Sequence, residues 1–240
     1  MSAPSNGLLA FDIETVNADR PPGVDFDFQN PDHLEMFCIC VAHRPSPGDE
    51  IEHEILFREA TGPAAELDVI EAAVEWMDTK PPERVLTFNG DGFDFIHLEG
   101  RAHNAADALG DRFDVVDQVE SFIEGVESDD LRPEAVQFCN DQYASFEQTC
   151  SAVGVEAPET RLEAFDLPVD PIPQRPTYRS SEPILMGCDV PVLGERYLNL
   201  SECGQTDIKA FREMHDALTH YAETDVRPLF ELADSRPFSS

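Results

Sequence analysis

The 240 residues, 41% of them hydrophobic, suffice for one sizeable core, and no apolar run is long enough to cross a bilayer or resembles a signal peptide. Forty-nine Asp and Glu against 16 Lys and Arg leave a formal charge of −33, yet the acids are spread through segments with ordinary apolar patterns, which excludes a disordered acidic chain. Six cysteines with no C-x-x-C and no zinc-like spacing exclude a zinc or disulfide framework and point to a reduced, cytoplasmic setting without membrane contact.

The first element is the apolar run Leu8-Leu9-Ala10-Phe11-Asp12-Ile13-Glu14-Thr15, which predicts a buried strand. Strand side chains alternate, so Asp12 and Glu14 share one face while Leu9, Phe11 and Ile13 take the other. Two adjacent acids repel, and partial burial raises that cost unless a cation sits between them. Hard divalent ions favour such carboxylate oxygens, although two solvated acids at a strand end are the alternative. Val16 to Glu35, with Pro21-Pro22-Gly23 and Pro31, reads as a loop. Met36 to Ala42 predicts a second strand and Ile51 to Phe57 a third, joined by a short turn that favours antiparallel neighbours.

Apolar positions 67, 70, 73, 74 and 77 predict a helix over Leu67 to Met77, and Arg84 to Phe88 predicts a fourth strand. That strand runs into Asn89-Gly90-Asp91-Gly92-Phe93-Asp94, after which a helical pattern reaches Ala105. Asp94 then falls in the first helical turn, where free N–H groups favour a carboxylate whether or not it has another task. His97, His103 and Asp91 read as surface groups. Arg112 to Asp117 predicts a fifth strand and Tyr143 to Val153 a short helix with Phe146, Cys150 and Val153 inward. Ala157 to Pro191 holds seven prolines and little periodicity, so about 157–205 reads as an irregular insertion. Its Arg161, Arg175, Tyr178 and Arg179 suit phosphate and base contacts or, equally, internal ion pairs. From Ile208 a stripe at 208, 211, 215, 218, 222, 225, 229 and 232 predicts one helix, and it carries Asp225 among buried neighbours. Tyr221 lies four residues earlier on the same face. Pro228 either kinks that helix or begins the next.

Three of these stretches resemble one family. Phe11-Asp12-Ile13-Glu14-Thr15, Asn89 through Asp94, and Tyr221-Ala222-Glu223-Thr224-Asp225 are similar to the three exonuclease motifs of the DEDD 3′–5′ exonucleases, especially the proofreading domain of family B DNA polymerases. One departure is Ile96, where the family commonly has proline two residues after the second-motif aspartate. The resemblance implies a single ribonuclease H-like α/β domain over 1–240, with three antiparallel strands, then parallel strands, flanked by helices. It also implies that Asp12, Glu14, Asp94 and Asp225 hold two divalent ions, Mg²⁺ or Mn²⁺, and that Tyr221 orients the attacking water. Asn89, Thr15 and Phe93 are the implied substrate contacts at the 3′ end of DNA or RNA. Two ions ~3.5–4 Å apart can activate water and stabilise the leaving oxygen of an in-line displacement, releasing nucleoside 5′-monophosphates. A stand-alone exonuclease is expected, since no polymerase palm, finger or thumb fits in the remaining residues.

The last motif also admits His220, five residues before Asp225, as in the histidine subclass of the family. On a continuous helix a four-residue step returns to within ~40°, whereas five lands ~140° away, which favours Tyr221. The competing class is a non-catalytic ribonuclease H-like module that binds nucleic acid or protein. Such modules usually lose a carboxylate, and all four stand here. The charge itself, with only two lysines, resembles the composition of salt-in halophiles, where molar salt screens self-repulsion within ~3 Å.

Overall fold

The computed structural model describes residues 7–20, 22–80, 82, 84–167 and 184–238. Its centre is a five-stranded mixed sheet in the order β3-β2-β1-β4-β5, formed by β1 (Leu8–Asn17), β2 (Leu34–Arg44), β3 (Glu52–Phe57), β4 (Arg84–Thr87) and β5 (Ser128–Asp130). The first three strands are antiparallel, and β1–β4 and β4–β5 are parallel. This is the α/β arrangement of the ribonuclease H-like fold. A parallel step needs a crossover, which α1 (Pro63–Asp78) supplies before β4, and α2 (Asp94–Leu109) with α3 (Phe113–Gly125) before β5. The chain continues through α4 (Arg132–Cys139), α5 (Phe146–Val153), α6 (Val190–Glu202) and α7 (Lys209–Asp234).

Strand alternation divides the core in two. Leu9, Phe11 and Ile13 pack with Val74, Leu98 and Val119 of the α1–α3 layer. Ala10 and Val16 face the other way, with Leu193 of α6 and Leu218, Ala222 and Val226 of α7. A β-bulge breaks the β1–β2 register between Glu14 and Thr15, and Phe37 is the extra residue on β2. Bulges re-aim side chains locally, and this one lies beside Glu14. Helix α6 comes so close to the sheet that a Cβ on Gly194 would sit 2.6 Å from Val16 Cγ1 and 3.1 Å from the Phe37 ring.

The α1–α2 layer is tied to β2 by buried charges. Glu66, 1% exposed, accepts from the Met36 backbone N–H at 2.6 Å and from Arg101 through two bonds of 2.8 and 2.7 Å. Arg58, also 1% exposed, donates to Glu35 and to the Ala60, Met36 and Gly62 carbonyls. Arg44 holds Asp234, at the end of α7, through two bonds of 2.7 Å.

Several expectations need correction. Residues 112–117 begin helix α3, whose buried Val115, Val116, Val119 and Phe122 follow helical spacing. Asp114 and Asp117 sit on its exposed side. The fifth strand is instead Ser128–Asp130, whose polar residues carry no apolar signal. The end of the Pro-rich stretch folds as α6, while Arg175, Tyr178 and Arg179 lie outside the described residues. His97 is fully buried, its ring tilted against Phe93 at 4.1 Å between ring centroids, with Nδ1 2.9 Å from the Phe93 carbonyl oxygen. It stands one helical turn from Phe93, so it turns inward with it. His103 and Asp91 are exposed, and each has a partner, Glu120 and Ser128. Helix α7 runs unbroken through Pro228, which lies inside it.

Candidate active site

Asp12 and Glu14 project from the central strand toward the α6–α7 side of the sheet, opposite Leu9, Phe11 and Ile13. Their cross-strand partners on β2 are Cys40 and Cys38, both buried. Asp225 reaches the same place from α7. One carboxylate oxygen each from Asp12, Glu14 and Asp225 lie within 4.8 Å of one another. Asp94 enters from the first turn of α2, 3% exposed, and its Oδ1 accepts the Ile13 backbone N–H at 3.2 Å. That bond fixes the start of α2 against the strand between the two β1 acids.

Burial first, and nearby acids second, raise all four carboxyls. Asp12 is held well above the usual carboxylate range by burial first, then by Asp94, Glu14 and Asp225. Burial, Asp225 and Asp94 raise Glu14 likewise. Asp94 is pushed up to about 7 by burial, with the neighbouring Asp130 adding to the rise and the Ile13 N–H opposing it. Burial and the Glu147 carboxylate push Asp225 up to about 7, while the Tyr221 hydroxyl pulls the other way. Among the described residues no arginine or lysine pairs with any of the four. Like charges gathered without a cationic side chain, offering oxygen donors alone, suit a hard divalent ion. The donor set therefore fits magnesium or manganese.

Tyr221 and His220 part company on α7. The Tyr221 hydroxyl faces Asp225 and the turn at Gly187, where an added Cβ would lie 3.3 Å from it. Burial, followed by Asp225, Glu14 and Asp12, holds its phenol well above the normal range, so it stays protonated and able to donate. His220 Nδ1 instead lies 2.7 Å from Thr160 Oγ1, and its ring meets Phe165 edge-on.

Asn89 stands in the left-handed region at φ 78°, which opens the turn between β4 and α2. Its backbone N–H donates to Asp130 Oδ1 at 2.8 Å, and its Oδ1 accepts from Arg132 at 3.3 Å. Gly90 is needed in that turn, because a Cβ there would meet the Thr87 side chain at 2.3 Å. Phe93 immediately precedes Asp94 and is half-buried against the α1–α3 layer. Thr15, 9% exposed, follows Glu14 at the bulge. A groove of about 470 Å³ is lined by Tyr143, Ser145, Glu147, Tyr221 and Asp225, with Leu185 to Gly187 on its wall.

Two acids near the cluster escaped the sequence reading. Asp130 ends the polar strand β5, and Glu147 stands in the first turn of α5. Each is one acid among 49, and neither lies on an apolar stripe that would mark it.

The chain is similar in structure to the family B DNA polymerase from the hyperthermophilic archaeon Pyrobaculum calidifontis, with a TM-score of 0.51 and 21% identity. The match covers 97% of this chain and 24% of the polymerase, so the chain spans about a quarter of that protein's length. At this identity the likeness concerns the fold. No protein-family model and no curated protein matches the sequence.

Proposed function

We propose that the protein is a metal-dependent 3′–5′ exonuclease that hydrolyses nucleic-acid phosphodiester bonds. The observation that carries the reading is the gathering of Asp12, Glu14 and Asp225 from β1 and α7, with Asp94 of α2 bonded to Ile13 between the first two, where among the described residues no cationic side chain neutralises them. Divalent ions held by Asp12, Glu14, Asp94 and Asp225 would offset that charge, activate water and stabilise the leaving 3′-oxygen. The chain's own groups do the positioning. Tyr221, kept protonated by burial and then by its acidic neighbours, orients the water through its hydroxyl rather than acting as a base. Asn89, whose backbone N–H is held by Asp130, contacts the substrate, with Thr15 and Phe93 beside the terminal nucleotide. Attack by water on phosphorus breaks the bond to the 3′-oxygen and releases a nucleoside 5′-monophosphate.

The test uses 3′- and 5′-labelled DNA and RNA oligonucleotides with magnesium, manganese or EDTA in molar KCl. Stepwise release of mononucleotides from the 3′ end, abolished by EDTA and by Asp12→Ala, is expected. Binding of the oligonucleotides without any cleavage under all these conditions would return the protein to the class of inactive nucleic-acid-binding modules.

A further inference from the structure

Positive charge is scarce on this chain, and most of it is committed. Arg44, Arg58, Arg84, Arg101 and Arg236 each hold a carboxylate at 2.6–2.8 Å. Arg132 differs. It begins α4, two residues after Asp130, and among the described residues its guanidinium meets only neutral acceptors, Asn89 Oδ1 and the Gln142 carbonyl oxygen, both at 3.3 Å. Such distances lie at the long end of the hydrogen-bond range, so the planar fork is neither neutralised nor tightly bound. Its backbone is well fixed. Asp130 Oδ1 accepts the N–H groups of both Asn89 and Arg132, at 2.8 and 3.0 Å, and the same carboxylate lies close enough to Asp94 to raise it. One residue beyond Gln142, Tyr143 is 77% exposed, the most exposed large apolar side chain among the described residues, and it lines the groove that Asp225 also lines.

We infer that Arg132 holds the phosphate immediately upstream of the scissile one, with Tyr143 as the stacking platform for a base beside it. The strand thus leaves the carboxylates along the groove that Asp225 and Tyr143 share. This rests on the exonuclease reading above and adds to it a strand path. A guanidinium fork matches phosphate oxygens, and an exposed aromatic face accepts any base, so the pair grips a strand without reading its sequence. Arg132 is a binding residue here, remote from the bond that breaks.

The experiment compares a short oligothymidylate with thymidine 5′-(4-nitrophenyl phosphate), which has one phosphodiester and no upstream phosphate, at fixed salt with manganese. For the oligomer, Arg132→Gln should raise KM by about tenfold with kcat within about twofold, and Arg132→Lys should recover part of the loss. Tyr143→Ser should also raise KM for the oligomer. Neither substitution should alter turnover of the nitrophenyl ester. Equal losses on both substrates would mean that Arg132 merely props Asn89, and no change on either would mean that the strand passes elsewhere; both overturn the inference. Fluorescence anisotropy of the labelled oligomer on the Asp12→Asn protein, with and without Arg132→Gln, reads the same contact without turnover. If the wild type cleaves neither substrate, the exonuclease reading fails, whereas weaker binding of the Arg132→Gln form in this arm still supports the strand path and unchanged binding refutes it.

Discussion

Replacing Asp94 with asparagine should make the metal-free protein more stable while destroying its activity. Asp94 is 3% exposed, and its folded carboxyl is pushed from 3.8 up to about 7, by burial first. A folded value above the unfolded one means that between about pH 4 and pH 7 the folded chain keeps a proton the unfolded chain has lost. Stability therefore falls as pH rises through that window, and the full cost is present above pH 7. About three pH units at 1.36 kcal/mol each give a cost of about 4 kcal/mol. Asparagine has the same shape and an oxygen for the Ile13 N–H, which now bonds to Asp94 at 3.2 Å, but it carries no charge. At 2–4 °C per kcal/mol for a chain of this size, Asp94→Asn should melt about 8–16 °C higher than wild type at pH 8 in EDTA. The difference should close toward pH 4, where both forms are neutral. Calorimetric melts of the two proteins from pH 4 to pH 8 in EDTA and molar KCl give the comparison. Magnesium should raise the wild-type melting point more than the variant's. A variant that melts lower than wild type, or a gap that does not change with pH, would refute the argument from a buried carboxyl.

Tyr221→Phe should lower turnover about a hundredfold with little change in substrate binding, since only one oriented hydroxyl is lost. His220→Ala, which gives up a hydrogen bond to Thr160, should stay within about threefold of wild type and leave the pH–rate profile in place. A dead His220→Ala with an active Tyr221→Phe would reverse the assignment. Activity and melting temperature should rise together toward molar KCl, because a charge of −33 must be screened for the chain to stay compact. An activity maximum near ~0.1 M salt would reject that, since it is what counterion release alone predicts. Gly194→Ala forces a methyl group into Val16 and the Phe37 ring and should cost about 1–3 kcal/mol, read as a lower denaturant midpoint.

The strands and helices that hold the acids were readable because two simple periodicities survive the acidic composition. The two-residue period of Leu9, Phe11 and Ile13 sets the face of Asp12 and Glu14, and the three-to-four spacing from Phe211 to Leu232 puts Asp225 on a buried stripe. Residues 112–117 misled because Val115-Val116 is β-branched and the six-residue window is shorter than two helical turns. Only with Val119 and Phe122 does the helical spacing emerge. Strand β5 was invisible, since three polar residues gain their place from hydrogen bonds to β4 rather than from burial. The same blindness hid Asp130, whose position is set by the Asn89 and Arg132 backbones, groups that leave no trace in a side-chain pattern. His97 was misplaced for want of a visible partner, which turned out to be the Phe93 carbonyl and ring one turn back.

The buried charges between β2 and the α1–α2 layer bear on how the fold responds to added salt. Mobile ions weaken attractions they can surround, so an exposed pair such as Arg227 with Glu223 fades as salt rises. Glu66 and Arg101, 1% and 8% exposed, and Arg58 at 1% are beyond their reach. Removing one member of such a pair strands the other in a medium that cannot solvate it, whatever the salt outside. The chain has thus placed part of its small stock of cations indoors, where dissolved ions cannot dilute them. The join between α1, α2 and β2 keeps its specificity at the ionic strengths that dissolve pairing on the surface.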